Sequence, residues 1–187
     1  MTLKACKSDP VYDARRVAEL LGLQFSEEEL NAFGTLPESL EDFVTFFDPG
    51  WSLLRLRETV AGKGTIFYPQ SWYNTQDFAT LVEPPRYRQL RMEAMKDSFD
   101  KTFADQQKLL LPDEEVPLTR VVVMGMVLHF LVAKERLFPT SYVRCQDKAS
   151  GGDRVSVGHF DGAGLHVHSD WDDNPDSSIG LASARKS

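Results

Sequence analysis

The C-terminal quarter of the chain holds most of the side chains that could do chemistry. His166 and His168 are two residues apart, so on a strand they would face the same way and could chelate a metal ion. His159, Asp170 and Asp172 lie close to them in sequence. Two hypotheses follow: a metal-dependent enzyme or metal-binding domain centred on this His/Asp cluster, or histidines that face solvent on a binding surface. We favour the second and expect no resident metal or cofactor.

Other reaction centres find little support in the sequence. Residues 172–174 echo a calcium loop, but they lack the glycine and the distant glutamate of an EF-hand, so we expect turn chemistry there. The glycine-rich turns at 151–153 and 161–164 open no helix, which argues against a phosphate site. Cys6 and Cys145 are predicted to be reduced, structurally neutral thiols, and no nucleophile–base pair is recognisable. We therefore predict that the chain is not an enzyme.

The elements that position the histidines are predicted to be short strands. Residues 154–158 and 165–168 alternate between apolar and polar side chains, which is the period of a strand with one face buried. The apolar residues of these runs would pack in the core as a fixed frame, while the small polar residues between them would contribute little to packing. Because loops on a stable scaffold commonly carry binding residues, the sequence predicts a binding surface within residues 154–178.

The rest of the chain is predicted to be mainly helical. Helices are expected at 12–23, at 26–34 behind a capping box, at 37–47, at 86–110 and at 118–135. The helix at 118–135 is apolar almost all round, which is typical of the buried centre of a domain. Three adjacent valines at 121–123 also permit a strand, but the length of the segment and its bounding residues Pro117 and Pro139 favour a helix. We therefore predict a single α+β domain over 1–187, with a helical N-terminal extension at 1–49 and a β-rich segment of short antiparallel strands at 140–187.

Several stretches of the C-terminal part resemble a known family. They are ERLFP at 135–139, V-x-V-G-x-F-D-x-x-G-L-x-V at 155–167, WDD at 171–173 and IGLASARK at 179–186. Together they resemble the variable proteins of diversity-generating retroelements, especially compact forms from archaea, their viruses and small-genome bacteria. In that family, adenine-specific mutagenesis during reverse transcription rewrites chosen codons near the C-terminus.

The resemblance implies a C-type-lectin-like fold of the formylglycine-generating-enzyme type and a hypervariable, ligand-binding region. It does not imply the enzyme activity, because Cys145 alone does not reproduce the cysteine arrangement of those enzymes. Positions carried over as fixed scaffold are Val155, Val157, Phe160, Leu165, Val167, Trp171 and Leu181. Positions carried over as variable and ligand-contacting are Ser156, His159, Gly162, His166, His168, Ser169, Asp170, Asn174, Asp176 and Ser178.

Composition limits the partners. The formal net charge of −7 and the pI of about 5.1 argue against nucleic acid, which needs a clustered basic face. The longest apolar run, at 121–133, contains His129 and is too short for a membrane helix, so we expect no membrane insertion. The N-terminus lacks the apolar stretch of a secretion signal, which predicts a cytoplasmic or virion-associated protein. The expected ligand is a protein or another macromolecule, bound through a polar, wet interface.

Overall fold

The computed structural model describes residues 10–186 and shows an α+β architecture with two sheets and six helices, which confirms the predicted class. The helices are α1 (Ala14–Leu21), α2 (Glu27–Ala32), α3 (Leu53–Val60), α4 (Asp77–Thr80), α5 (Phe103–Gln107) and α6 (Thr119–Ala133). The strands are β1 (Val11–Tyr12), β2 (Phe43–Asp48), β3 (Arg86–Arg91), β4 (Glu114–Glu115), β5 (Tyr142–Lys148), β6 (Arg154–Asp161), β7 (Gly164–Asp170), β8 (Ile179–Leu181) and β9 (Ala184–Arg185). Within residues 10–186, no helix combines the length and the apolar composition that a bilayer crossing requires.

The two sheets divide the chain between them. The first has the strand order β1-β2-β3-β9-β4 and the second has the order β7-β6-β5-β8. Strands β5, β6 and β7 are antiparallel as predicted, whereas β8 pairs with β5 in parallel. After β8 the chain crosses back to the first sheet, where β9 lies between β3 and β4. This crossover ties the β-rich C-terminal part to strands from the first half of the chain.

Helix α6 is the buried centre of the molecule, as its sequence predicts. It contacts strands of both sheets, and eleven of its residues, from Thr119 to His129, are buried. Leu118, at its N-cap, supplies no capping side chain, and the Asp147 carboxylate accepts the Thr119 backbone N–H at 2.6 Å instead. Lys134, in the left-handed region at φ 59°, ends the helix. The helix that organises the core is therefore held at its start by a residue of β5.

The N-terminal part differs from the predicted helical extension. The first two predicted helices are observed as α1 and α2, and the capping box is present, with Ser26 Oγ accepting from the Glu29 N–H at 3.2 Å. Residues 37–47, predicted as a third helix, instead lead into β2, whose six residues are all buried. A run that is apolar on both faces suits a strand covered on both sides, so the acidic residues ahead of it lie in a loop. Because β1 and β2 belong to the first sheet, this part of the chain is not a helical extension; its residues 1–9 lie outside the described range.

The long amphipathic helix predicted at 86–110 is wrong. Residues Arg86–Arg91 form β3, which pairs with β2 along its whole length, and only Phe103–Gln107 are helical. Asp97 and Asp100 have φ angles of 61° and 55°, and a helix cannot continue through left-handed residues. The apolar residues that mimicked a helical stripe pack in two separate clusters, Leu90 in the main core and Met95 and Phe103 against Leu181.

Candidate ligand-binding surface

The inner face of the second sheet is an apolar frame. Val143, Val157 and Val167 occupy one row across β5, β6 and β7, and all three are fully buried in the main core. Of the seven positions assigned to the scaffold, six are fully buried, as a scaffold role requires: Val155, Val157, Phe160, Leu165, Val167 and Leu181. Five of these residues pack in the main core behind the sheet, whereas Leu181 packs in a separate cluster on the outer face.

The outer face of the same sheet is half covered. At the β8 side, Leu181 packs against Met95 and Phe103, and Gln106 donates its side-chain amide to the Ile179 carbonyl at 3.0 Å. At the β7 side, His168 is exposed and His166 is half-buried. The open part of the sheet is thus the part that carries the histidines.

Five rings meet on this open part, and we call them the Tyr–His face: Tyr68, Tyr142, His159, His166 and His168. Tyr68 stacks on His166 with ring centroids 4.0 Å apart and an interplanar angle of 19°. Tyr142 lies 4.7 Å from His159 and 5.5 Å from His168, and His159 lies 6.5 Å from His166. Burial, more than the neighbouring histidines, lowers the pKa of His166, which favours the neutral form of its ring. The face is therefore a nearly continuous surface of ring atoms.

A β-bulge brings His159 onto this face. Simple alternation would point it inward with Val157, but the register between β6 and β7 shifts between Gly158 and Asp161. Gly158, at φ 154°, passes so close to β5 that a Cβ there would lie 2.0 Å from the Ser141 carbonyl oxygen. His159 follows at φ 42°, and its N–H donates to that same oxygen at 2.9 Å. The extra residue lets Phe160 return to the core while His159 turns outward.

The outer edge of β7 is closed by residues 66–72. The Gln70 side-chain amide pairs with Val167, accepting its N–H at 3.0 Å and donating to its carbonyl at 3.1 Å. Trp72 Nε1 donates to the same carbonyl at 3.1 Å, and the Tyr68 N–H donates to the Leu165 carbonyl at 3.0 Å. An unpaired strand edge invites another chain, so this cover limits edge-to-edge pairing and fixes Tyr68 beside His166.

Residues 171–178, which we call the display loop, connect β7 to β8 beside the Tyr–His face. The loop is held through its backbone carbonyls. The Arg144 guanidinium donates to the carbonyls of Trp171 at 3.3 Å and Asn174 at 2.5 Å. Backbone N–H groups of Phe103 and Asp100 donate to the carbonyls of Asp172 at 2.8 Å and Asp176 at 3.1 Å.

One side chain of the display loop is also fixed by ion pairs. The Asp172 carboxylate accepts from the Arg154 guanidinium at 2.8 and 3.0 Å and from Lys148 at 3.0 Å. The hydrogen bond from Arg154 is the main reason that the pKa of Asp172 is lowered. The sequence predicts turn chemistry for this residue, whereas the structure shows a bidentate ion pair with Arg154.

Nine of the ten positions predicted to contact a ligand are exposed or half-buried: His159, Gly162, His166, His168, Ser169, Asp170, Asn174, Asp176 and Ser178. They do not form one contiguous patch. Gly162 lies at the tip of the β6–β7 hairpin, and Ser169 shares the strand face of Val167 rather than that of His168. The three histidines form one group, and the polar residues of the display loop form a second beside it.

Ser156 is the exception among these ten positions, because it is fully buried. It pairs with His168 on one side and with Arg144 on the other, so its side chain shares their outer face, yet it is not exposed to solvent. Within residues 10–186, neither Ser156 Oγ nor Arg144 Nε has a hydrogen-bond partner. Ser156 is therefore not accessible to a ligand, contrary to the prediction.

Trp171 is the one predicted scaffold residue that is exposed rather than buried. The sequence favours a half-buried framework residue over a binding anchor at this position, but Trp171 is 70% exposed. Its backbone carbonyl is the anchor point, accepting from Arg144, and its N–H donates to the Asp170 carboxylate at 2.8 Å. With the backbone fixed, the indole is left free to face solvent at the start of the display loop.

Sequence reasoning missed three residues of the site: Tyr68, Tyr142 and Arg144. Tyr142 and Arg144 alternate on β5 and share the outer face, a signal that the period of two could have given. Tyr68 comes from a segment nearly 100 residues earlier in the chain than His166, so only the folded structure brings the two together.

The geometry does not favour the metal alternative. Across residues 10–186, no group of three or more His, Cys, Asp and Glu side chains is arranged to hold a metal ion. The rings of the Tyr–His face stack and tilt against tyrosines instead of converging on a common point. Cys145 is fully buried, and burial raises the pKa of its thiol, so it is not poised as a nucleophile.

No protein-family model, curated protein or solved structure matches the chain. The open half of the second sheet, with its ring cluster and its backbone-anchored loop, is therefore the strongest indication of what this molecule does.

Proposed function

We propose that this protein binds a ligand through the Tyr–His face and the display loop, and that the side chains there can change while the frame stays fixed. A variable protein of a diversity-generating retroelement, built on a C-type-lectin-like scaffold, would have this organisation. The observation that carries the proposal is the anchoring of the display loop through main-chain carbonyls, with Asp172 as its one ion-paired side chain among the described residues.

Main-chain anchoring separates loop conformation from side-chain identity. A carbonyl accepts the same hydrogen bond whatever side chain its residue carries, so the contacts with Arg144, Asp100 and Phe103 survive substitution. The exposed side chains of Trp171 and Asp173 make few packing contacts, and exposed substitutions usually change stability by no more than about 0.5 kcal/mol. At these exposed positions the loop can therefore accept many side chains without losing its shape, whereas Asn174, Asp176 and Ser178 also form hydrogen bonds through their side chains.

The same organisation suits tight binding. Because the loop and the sheet are ordered before a ligand arrives, association costs less conformational entropy than it would for a flexible loop. Tyrosine and tryptophan supply large contact areas with few rotatable bonds, and short polar side chains supply adaptable hydrogen bonds. Rings and short polar residues are the types found on this face and loop.

The scaffold assignment is supported by the path of the chain. Strand β9 returns to the first sheet beside β3, so the end of the chain is locked near strands from the first half. The segment proposed to vary, between β6 and β8, is thereby closed at both ends by paired strands. A closing C-terminal strand of this kind is what the resemblance to the C-type-lectin-like fold leads us to expect.

A pair of displayed libraries tests the binding part of the proposal. The surface library randomises His166, His168, Trp171 and Asp173, and the matched control library randomises four core positions, Val155, Val157, Leu165 and Val167. We expect most surface variants to resist protease as the parent does, because exposed substitutions change stability little. Most variants of the core library should be digested, because even a single core truncation costs about 2–4 kcal/mol. We also expect selection against streptavidin and serum albumin to recover binders from the surface library alone.

Two results would contradict this part of the proposal. One is equal loss of protease resistance in the two libraries, since the surface positions would then hold the fold. The other is a well-folded surface library that yields no binder to either target protein.

The diversification part has its own test in the genome that encodes the chain. We expect a reverse-transcriptase gene near the coding sequence, together with a near copy of the segment that encodes residues 154–178. The copy should differ from the gene only at its adenines. A locus with neither feature would reject diversification and leave a fixed binding protein.

A further inference from the structure

We propose that the natural partner of this surface is a protein segment that presents arginine or lysine side chains. This inference rests on the proposed function and names the chemical class of its ligand. Three properties of the surface support it: carboxylates without cations, local cations that are already engaged, and open aromatic faces.

Four aspartates flank the Tyr–His face: Asp161, Asp170, Asp173 and Asp176. None of the four forms an ion pair with another group within residues 10–186. Their hydrogen bonds are local, from Ala163 to Asp161, from Asn174 to Asp170 and from Ser178 to Asp176. The Asp161 carboxylate adds to burial in raising the pKa of Tyr142, so its field reaches the ring cluster. The rim of the surface is therefore anionic.

The cations nearest this rim are committed elsewhere. Arg144 is fully buried under the display loop and donates to backbone carbonyls and to Gln106. Arg154 and Lys148 pair with Asp172, and the Arg154 guanidinium also lies 3.8 Å from the ring centroid of Phe103. The buried Arg144 also acts electrostatically on Asp170 and Asp176, so Asp161 and Asp173 are the flanking carboxylates left for a partner to neutralise.

The aromatic groups provide the second half of a cation site. A guanidinium or ammonium group binds over the face of a tryptophan or tyrosine ring, and Trp171 is 70% exposed. The chain already uses this contact internally, with Arg55 lying 4.1 Å from the ring centroid of Trp51. Aromatic rings flanked by carboxylates attract a cationic side chain, whereas the same carboxylates would repel an acidic partner. The net charge of −7 favours the approach of the same partner.

The test measures binding of the full-length protein to two synthetic peptides by isothermal titration calorimetry. One peptide repeats Gly-Ser-Arg, and the other replaces each arginine by citrulline, which keeps the planar shape but removes the charge and puts a carbonyl oxygen in place of one amino group. We expect the arginine peptide to bind at least about tenfold more tightly. We also expect it to shift the NMR signals of the Trp171 indole and of the His168 ring.

Two double variants separate the surface from the overall charge. Asp161→Asn with Asp173→Asn should weaken binding of the arginine peptide about tenfold, because both carboxylates lie on the rim. Glu28→Gln with Glu41→Gln removes the same charge from α2 and from the loop before β2, and should leave the affinity within about twofold. Equal binding of the two peptides, or equal losses in the two variants, would overturn the inference. If either of these outcomes occurs but the surface library still yields binders to other proteins, the ligand class is wrong and the proposed binding function stands.

Discussion

Replacing Arg144 with methionine is expected to lower the free energy of unfolding by about 2–4 kcal/mol and to release the display loop. The substitution removes the donor for three backbone carbonyls, those of Lys101, Trp171 and Asn174. A buried acceptor left without a partner costs about 1–3 kcal/mol. Part of this loss is offset, because burial of the Arg144 guanidinium lowers its pKa and the charged form is itself costly to bury.

The release of the loop can be seen separately from the loss of stability. The N–H groups of Asp100 and Phe103 donate to loop carbonyls, so their hydrogen exchange should speed up in Arg144→Met more than exchange in α6. Arg144→Lys keeps the charge but has fewer donors in a different geometry, and should lie between the parent and Arg144→Met in both measurements. A methionine variant with parental stability and parental exchange at both amides would show that Arg144 does not anchor the loop.

Removing the Asp48 carboxylate is expected to be the most damaging single change in the core, costing about 3–5 kcal/mol in Asp48→Ala. Asp48 is fully buried and accepts from the Arg120 guanidinium in a bidentate pair, with distances of 2.9–3.0 Å. It also accepts the Gly50 N–H at 2.9 Å, where the chain turns out of β2. Without the carboxylate, the buried Arg120 keeps Glu83 but loses its main partner. Urea denaturation followed by tryptophan fluorescence measures the loss.

A surface ion pair serves as the control for this prediction. Asp113 pairs with Arg185 at a partly exposed position, and Asp113→Ala should cost no more than about 1 kcal/mol. Asp48→Leu combined with Arg120→Met should be less harmful than Asp48→Ala, since it leaves no unpaired buried charge. If Asp48→Ala were no worse than Asp113→Ala, the buried ion pair would have no net role in stability.

The elements that sequence reasoning located correctly are those whose pattern has a single structural solution. A thirteen-residue, mostly apolar run at 121–133 fits α6, and the two alternating runs fit the β6–β7 hairpin. The capping box before α2 is purely local, so it too was predictable. In each case the residues that decide the structure lie within a few positions of one another.

The segments predicted wrongly are those whose partners lie far away in the chain. Residues 37–47 carry helix-start acids and then four apolar residues, and only pairing with β3 makes Phe43–Asp48 a strand. The apolar residues of 86–110 have helical spacing, yet the first six residues of this segment pair with β2 as a strand. Two aspartates in the left-handed region then prevent a continuous helix over the remainder. Strand pairing depends on neighbours that no local window contains.

The sequence by itself determined which side chains of the C-terminal segment are apolar frame and which are small and polar, because strand alternation assigns faces without reference to other elements. Tertiary structure decided which outward positions stay open. Ser156 faces outward and is nevertheless buried, the display loop held by Arg144 leaves Trp171 in solvent, and the bulge at Gly158 turns His159 toward His166. Burial of an outward-facing side chain depends on what folds over it, and the chain sets that only through contacts between residues distant in sequence.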